Sequence, residues 1–539
     1  MNKGAAYLFL IVLVTGLAIS LYLYSGPDPS YDDDFYLSCA NLMMKGNTAF
    51  MSSSFCYPFL NIVPLAASMS VFGVGNIQAI IPSIIEYSLL IFITFFVAYR
   101  TYGRYFAFAG SIMVATAPFV VGYVTRVLSD INVGLAVAVS IFLFLLSVKR
   151  RSAAISFLSG LAAIYTIYIK SDGIIYVVLF IIANILAFRN GFGIFGKHHK
   201  SRKYTEQKRD AKNLLLSIGG VAIGFALFIF AFYLAFGNPM FPFEYYTLTA
   251  SSIKPLEELY ILFSPLQLNA LVVAGAYELF PLGPVAILSA IGTLIGLKNK
   301  DSTINYVSFF GWGIFLYLIF GTASLHEYLF PPVVSRFFGI EVLPFGLLSG
   351  YALFSIYSFL KKRTRIKESA LKFVFTLFVA AVLFSYLPMY KNFVAYEVDY
   401  KAVAMVISAT ANYIMSNPTG NVTQVYLNSD WMWELNQIQF FNFATKYNKS
   451  ISAHMIDYER LGGLNTSNLC QKSIAVSHQY VVVIGNGYEE YTSAEQLQNL
   501  QGWLGANCTI SLVEEINSEP TNSIIATYIY KVFPYTSAN

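Results

Sequence analysis

The sequence predicts a polytopic α-helical membrane protein of about eleven transmembrane helices, followed by a C-terminal extracytoplasmic α/β domain. Three observations carry that reading. Of 539 residues, 56% are hydrophobic and only 12% charged, about half the charged share of an average soluble domain. The hydrophobic residues stand in separate runs, several about twenty long, enough to cross a hydrocarbon core of roughly 30 Å. Beyond residue 388 the composition turns to Asn, Ser and Gln, with no run of span length. A soluble globular protein, a disordered chain and a fibrous repeat are all excluded.

The first run, 5–24, has Lys3 before it and Ser25-Gly26-Pro27-Asp28 behind it. A signal peptide has similar flanks, but no small-residue cleavage site of the A-x-A kind follows. The run is therefore expected to stay as an anchor. Further spans are read near 80–99, 105–122, 131–148, 153–169, 174–188, 214–236, 279–297, 304–322, 338–358 and 370–388. The apolar segment 57–73 is interrupted by Pro58, Pro64 and Gly73, and is expected to lie along the membrane interface.

Charge tests the count. With the N-terminus cytoplasmic, the inner loops hold 22 Lys and Arg, whereas the outer side of the membrane part holds only Lys45, Arg126, Lys170, Lys254 and Arg336. Cytoplasmic loops attract this excess, and a wrong number of spans would scramble it. Eleven spans then place the C-terminal segment outside. Two further features fall on that side. All four N-x-S/T sequons, at Asn421, Asn448, Asn465 and Asn507, lie beyond residue 388, where glycosylation from outside would reach them. The four cysteines (Cys39, Cys56, Cys470 and Cys508) also fall on outer segments. Four cysteines allow three pairings; proximity favours Cys39–Cys56 and Cys470–Cys508, against four free thiols. No ligand spacing points to structural zinc.

The chain is thus read as a membrane part, 1–388, and an outer domain, 389–539. In the latter, strand-like runs at 422–427, 480–484, 509–513 and 524–533 alternate with helix-like stretches at 396–416, 432–447 and 493–504. That alternation suggests an α/β domain long enough to bury its own core.

Ionisable residues at a membrane are costly, and those retained usually have a partner or a task. The first outer loop opens with Tyr31-Asp32-Asp33-Asp34-Phe35-Tyr36. One of its acids could simply cap the helix that follows, although three are more than one cap requires. The second outer loop carries Arg126, Ser129 and Asp130, which could equally be a helix cap and a local ion pair. The third holds Lys170-Ser-Asp172-Gly173, where a lysine at the interface could snorkel. The fifth runs from His326-Glu327 to Arg336, a cation entering an apolar span from the cation-poor side. Acids on two outer loops with cations on three suit a reaction between an anionic lipid and a hydroxyl or amide acceptor.

These segments carry a family resemblance. The sequence resembles the GT-C type of integral-membrane glycosyltransferase, in the protein-mannosyltransferase and aminoarabinose-transferase-like group. The family's first-loop pattern is matched by Asp32-Asp33-Asp34-Phe35-Tyr36 with Ala40 and Gly46. Tyr57-Pro58 resembles its interfacial-helix start, Leu128-Ser129-Asp130 its acid opening the fourth span, and Lys170-Ser-Asp-Gly173 its Lys-x-x-Gly. Gly237-Asn238-Pro239 resembles a Gly-Asn-Pro loop, and Ser335-Arg336-Phe337 with Leu343-Pro344 an Arg-Tyr…Leu-Pro entry to a late span. The usual Asp-Glu pair is here Asp32-Asp33 followed by Asp34. The proline after the second-loop acid is missing, and the late Arg-Tyr is Arg-Phe.

The resemblance implies a polyprenyl-phosphate sugar as donor, an acceptor that is protein, lipid or glycan, transfer at the outer membrane face and inversion at the anomeric carbon. Such chemistry asks for a carboxylate to take the acceptor's proton; Asp33 is the choice, with Asp32 and Asp34 as substitutes. It also asks for a fixed cation beside the leaving phosphate. Arg336 suits that task through its planar fork, with Lys170, Arg126 and His326 as further candidates. Asp130 would orient the acceptor or a cation. Side-chain cations could suffice without any cofactor; alternatively Asp33, Asp34 and Asp130 offer oxygen ligands to Mg²⁺ or Mn²⁺. Nucleic acid is not an expected partner.

Other signals lead elsewhere. Gly191-Phe-Gly193-Ile-Phe-Gly196 spells G-x-G-x-x-G without a βαβ context, and the basic residues around His198-His199 suit an inner loop near anionic lipid. Asp430-Trp431-Met-Trp433-Glu434 differs in order and spacing from the Trp-Trp-Asp motif of oligosaccharyltransferases. Two rival readings remain: oligosaccharyltransferase-like transfer of a whole glycan, and a flippase-like lipid or solute transporter. The second would favour paired broken helices in two halves, which the sequence does not show.

Overall fold

A computed structural model describes residues 2–24, 33–46, 56, 58–170, 173–189, 204–238, 280–320, 339–363, 368–391, 422–428, 450–456, 479–486, 508–517 and 525–534. Its backbone packing divides the chain into two units. The first takes residues 1–24, 49–64 and 80–391; the second takes 25–48, 65–79 and 392–539.

The helices run α1 (Lys3–Tyr22), α2 (Asp33–Met44), α3 (Phe59–Phe72), α4 (Asn76–Tyr102), α5 (Arg104–Ala115), α6 (Pro118–Val121) and α7 (Asp130–Arg150). They continue as α8 (Ala153–Ile169), α9 (Gly173–Arg189), α10 (Tyr204–Phe236), α11 (Phe280–Asn299), α12 (Ser302–Phe320), α13 (Val342–Arg363) and α14 (Glu368–Phe384). Ten of the eleven apolar runs fall mainly on one helix each among the described residues. Among the described residues, six helices are long and apolar enough to cross a membrane. The run expected at 105–122 is broken. Helix α5 stops at Ala115, Ala117 is extended, and Pro118 starts the short α6. A proline has no N–H to continue the ladder and drives its predecessor out of the helical region.

The core of the first unit is apolar but laced with hydrogen bonds. Asn184 of α9 donates to Ser217 Oγ of α10 at 3.1 Å and accepts from the Tyr306 hydroxyl of α12 at 3.1 Å. Ser159 of α8 meets the same Ser217 at 3.3 Å. All four residues are buried. Within hydrocarbon such bonds join helices because no water competes for the partners. At the far end of α4, Asp301 accepts from Ile304 N at 3.2 Å, capping α12, and from the hydroxyls of Tyr102 and Tyr351.

In the second unit, α2 ends at a turn where Gly46 adopts φ +65° and its N–H reaches Met43 O at 3.0 Å. A left-handed residue is the usual way to close a helix, and glycine takes it without a Cβ clash. The same unit holds a five-stranded mixed sheet of order β2-β1-β3-β5-β4. Its strands are β1 (Val422–Asn428), β2 (Ser450–Ile456), β3 (Gln479–Asn486), β4 (Cys508–Asn517) and β5 (Ile525–Pro534). β1 pairs parallel with β2 and β3, whereas β5 pairs antiparallel with β3 and β4. Four strands coincide with the apolar runs read from sequence. The fifth, β2, has no counterpart among them, although Ser450-Ile-Ser-Ala-His-Met455 alternates polar and apolar residues as a half-buried strand does. The three helix-like stretches expected in this domain lie outside the described residues.

Candidate functional site

Helix α7 begins at Asp130. Its cap residue Ser129 makes no side-chain capping bond, and the Asp130 carboxylate turns to another element. Lys170 Nζ donates to Asp130 Oδ1 at 2.9 Å. The local sequence explains why the lysine is there. Lys170 follows the last turn of α8 in extended conformation, its N–H on Thr166 O at 3.0 Å. The Gly173 N–H then bonds back to Lys170 O at 3.0 Å, and Thr166 Oγ1 donates to Gly173 O at 3.2 Å. A Cβ on Gly173 would stand 2.5 Å from the Thr166 carbonyl carbon. The Lys-x-x-Gly spacing is thus the spacing of a folded turn that presents the ammonium group to Asp130.

Arg126 is 1% exposed, with its guanidinium 5.2 Å from the centre of the Tyr123 ring. Its backbone carbonyl accepts from Ser83 Oγ of α4 at 2.9 Å. The first turn of α3 fastens the same stretch: Asn61 Nδ2 donates to Val127 O at 3.3 Å, and Asn132 Nδ2 donates to Leu60 O at 3.0 Å. The 126–132 segment is therefore held by α3, α4 and α8 together.

Glu341 completes the set. It ends the short turn Gly339–Glu341 before α13 and is fully buried. A Cβ on Gly339 would touch Asp130 at 3.8 Å, and one on Gly134 would lie 2.7 Å from Gly339 O. The turn thus presses directly on the first turns of α7. Among the described residues, the buried charged side chains are Asp33, Arg126, Asp130 and Glu341. The three that belong to the first unit all lie on the segments flanking the starts of α7 and α13.

In the second unit, Asp33 opens α2 and is fully buried, with Tyr36, Cys39 and Ala40 buried along the same helix. Cys39 and Cys56 are both disulfide-bonded. The side chain of Asp34, together with Asp32, Tyr57, His326, Arg336 and Cys470, lies outside the described residues; Cys508 opens β4. The Pro239 side of the Gly-Asn-Pro loop lies outside them as well. Among the described residues no three His, Cys, Asp or Glu side chains gather into a metal-binding group.

Comparison with known proteins gives the architecture its context. Over its whole length the chain is similar to ArnT from Cupriavidus metallidurans bound to undecaprenyl phosphate. The TM-score is 0.55 at 12% identity, covering 98% of both chains. The chain has the GT-C glycosyltransferase fold. Against the apo state of ArnT the TM-score of this fold is 0.54, again at 12% identity and 98% of both chains. Against the apo oligosaccharyltransferase of Archaeoglobus fulgidus it is 0.52 at 11% identity, covering 89% of this chain and 70% of the other. Residues 58–200, which carry Arg126, Asp130 and Lys170, match the family model described as dolichyl-phosphate-mannose-protein mannosyltransferase. No curated protein sequence matches. The GT-C resemblance drawn from six short motifs therefore holds for the fold, and six described helices are long and apolar enough to cross a membrane.

Sequence reading missed Glu341, Asn61 and Asn132. Glu341 carried a usable signal, since it is the sole acid in the apolar run 338–358, and a lone acid in such a run marks a site by default. The two asparagines carried none; their role is to hold backbone carbonyls and emerges only from packing.

Proposed function

We propose that this protein transfers a sugar from a polyprenyl-phosphate donor to an acceptor hydroxyl or amide at the extracytoplasmic membrane face, with inversion. The observation that carries this reading is the Asp130–Lys170 ion pair with buried Arg126 on the same segment, all within residues 58–200, which match a mannosyltransferase family model. A related GT-C fold has been described with undecaprenyl phosphate bound, which supports the lipid class of the donor.

The reaction is a single displacement. The acceptor oxygen attacks the anomeric carbon, its proton passes to a carboxylate, and the bond from that carbon to the phosphate oxygen breaks with its electron pair going to the phosphate. Asp33 is the assigned base, with Asp32 and Asp34 as the alternative assignments. The donor is a diester with one negative charge, and it leaves as a monoester approaching two. A fixed cation therefore stabilises the transition state more than the bound donor. Lys170 and Arg126 are assigned to this task with Arg336 and His326. Asp130 orients Lys170 and keeps the ammonium in one place while the charge develops.

Transfer of radiolabelled sugar from a polyprenyl-phosphate donor in membranes tests the reading. Wild type is expected to transfer label, and Asp33→Asn to lose about 10²-fold or more of the rate, the usual worth of a positioned base. Transfer that survives removal of all three loop acids would overturn the mechanism.

A further inference from the structure

We propose that the end of the sheet at which β1, β2 and β4 begin is a glycan-bearing surface, with asparagine-linked glycans on Asn421, Asn448 and Asn507 together. This rests on the C-terminal domain standing outside the membrane, and not on the sugar-transfer chemistry proposed above.

The sheet gathers sequons that stand far apart in the chain. β1 runs parallel to β2 and β3, and β5 runs antiparallel to β3 and β4. Strands β1 to β4 therefore all point the same way and start at one end. Ser452, Gln424, Gln479, Val532 and Ile510 stand side by side in a row across the sheet. Thr423 of β1 and Thr509 of β4, the hydroxyl residues of two sequons, come one residue before that row, toward the starting end. Ser450 of β2, the hydroxyl residue of a third, comes two before it. The acceptors Asn421, Asn507 and Asn448 lie just outside the described residues, each two positions ahead of its hydroxyl residue in the chain. β2 and β4 are the outer strands of the order β2-β1-β3-β5-β4. Neighbouring strands lie about 4.8 Å apart, so four steps place the three strand entries within roughly 20 Å of one another. No sequon precedes β5, which begins at the opposite end; residues 522–524 read Asn-Ser-Ile.

A glycan on an N-x-S/T asparagine is bulky and hydrophilic, and it belongs on a surface. The co-reactant is a lipid-linked glycan, handled by a separate asparagine-modifying transferase. The side-chain amide nitrogen attacks the anomeric carbon and the N–C bond forms. The bond from that carbon to the phosphate oxygen breaks with its electron pair going to the phosphate, and one amide proton passes to a base of that transferase. With three glycans at one end of the sheet, a protein partner of this domain must bind elsewhere on it.

Glycopeptide mass spectrometry of the full-length protein, purified from its native membranes, tests the proposal. Asn421, Asn448 and Asn507 are all expected to carry glycans. Asn421→Gln, Asn448→Gln and Asn507→Gln should each lose one glycan and keep the other two. A sequon built at the start of β3, by Ser477→Asn together with Gln479→Thr, should gain a further glycan, because β3 begins at the same end. Occupancy confined to Asn465, or missing at any one of the three sites, would overturn the proposal. So would a folded protein that glycosylates the three native sites and leaves the added β3 sequon bare. If the chain with the added sequon does not fold, occupancy of the three native sites decides alone. Protease added outside intact spheroplasts distinguishes two causes of failure. A protected C-terminal domain lies inside, so the topology fails; a cleaved domain without glycans rejects the glycan-bearing surface and leaves the topology standing.

Discussion

Lys170 Nζ lies 2.9 Å from Asp130 Oδ1, joining the end of α8 to the start of α7. The acid side chain is 4% exposed and the lysine 16%, so water screens the pair only in part. Removing one partner from such a pair leaves a charge without compensation and costs about 3 kcal/mol; removing both costs much less. Asp130→Asn and Lys170→Met are each expected to lower the detergent-solubilised melting temperature clearly, and the double variant to recover part of the loss. The activities should behave differently. Lys170→Met and the double variant should both lose transfer, because restored stability does not restore the cation. A double variant less stable than either single one would show that the pair does not hold these helices together.

Gly173→Ala tests the same cation without touching it. The added methyl would meet the Thr166 carbonyl carbon at 2.5 Å, closer than real Cβ contacts, so the turn must open. The Gly173 N–H to Lys170 O bond and the Thr166 hydroxyl bond would loosen with it. Transfer is expected to fall about tenfold or more, since small displacements of a positioned group cost this much. Expression should change little. Wild-type kcat/KM in Gly173→Ala would show that the turn does not set the lysine.

Arg126→Lys separates charge from shape. The guanidinium sits over the Tyr123 ring at 5.2 Å, and its planar, weakly hydrated form suits both burial and stacking in a way an ammonium does not. Charge alone would let lysine serve. The structure instead leads to a loss of about tenfold or more in kcat/KM for Arg126→Lys, and a smaller loss for Tyr123→Phe, which keeps an aromatic face. Steady-state kinetics on the two variants, normalised to folded protein, reads the difference. Equal activity of Arg126→Lys and wild type would reject a role for the planar group.

Much of this architecture is written in one-dimensional patterns. Apolar runs mark helices because a membrane segment must satisfy its backbone internally, and ten of the eleven runs fall mainly on one helix each, with Pro118 cutting the other short. The Lys170–Gly173 spacing was legible because a tight turn constrains residue type at fixed offsets. The partner of Lys170 was not, since forty residues separate it from Asp130 and nothing local encodes the pairing. Glu341 was legible in principle, as an acid stranded in an apolar run, but its contact with α7 depends on Gly339 and Gly134 meeting across the bundle. The strand β2 was legible too, since Ser450 to Met455 alternate polar and apolar residues, while its parallel pairing with β1 is not encoded locally.

The network around Asn184 provides a prediction about stability alone. Its amide donates to Ser217 and its carbonyl accepts from Tyr306, so one side chain ties α9 to α10 and α12. Asn184→Leu removes both bonds and leaves the Tyr306 hydroxyl buried without this acceptor, while Ser217 keeps Ser159 at 3.3 Å. Interhelical hydrogen bonds in membrane proteins contribute about 0.6–2 kcal/mol each, so the variant should be less stable by about 1–3 kcal/mol. The network involves none of the charged residues assigned to the reaction. Asn184→Leu should therefore unfold earlier in a detergent melt yet transfer sugar at the wild-type rate per folded molecule. Serine or threonine at this position, keeping one polar atom, should recover part of the lost stability. Loss of turnover in a fully folded Asn184→Leu protein would instead place this hydrogen-bond network in the catalytic cycle.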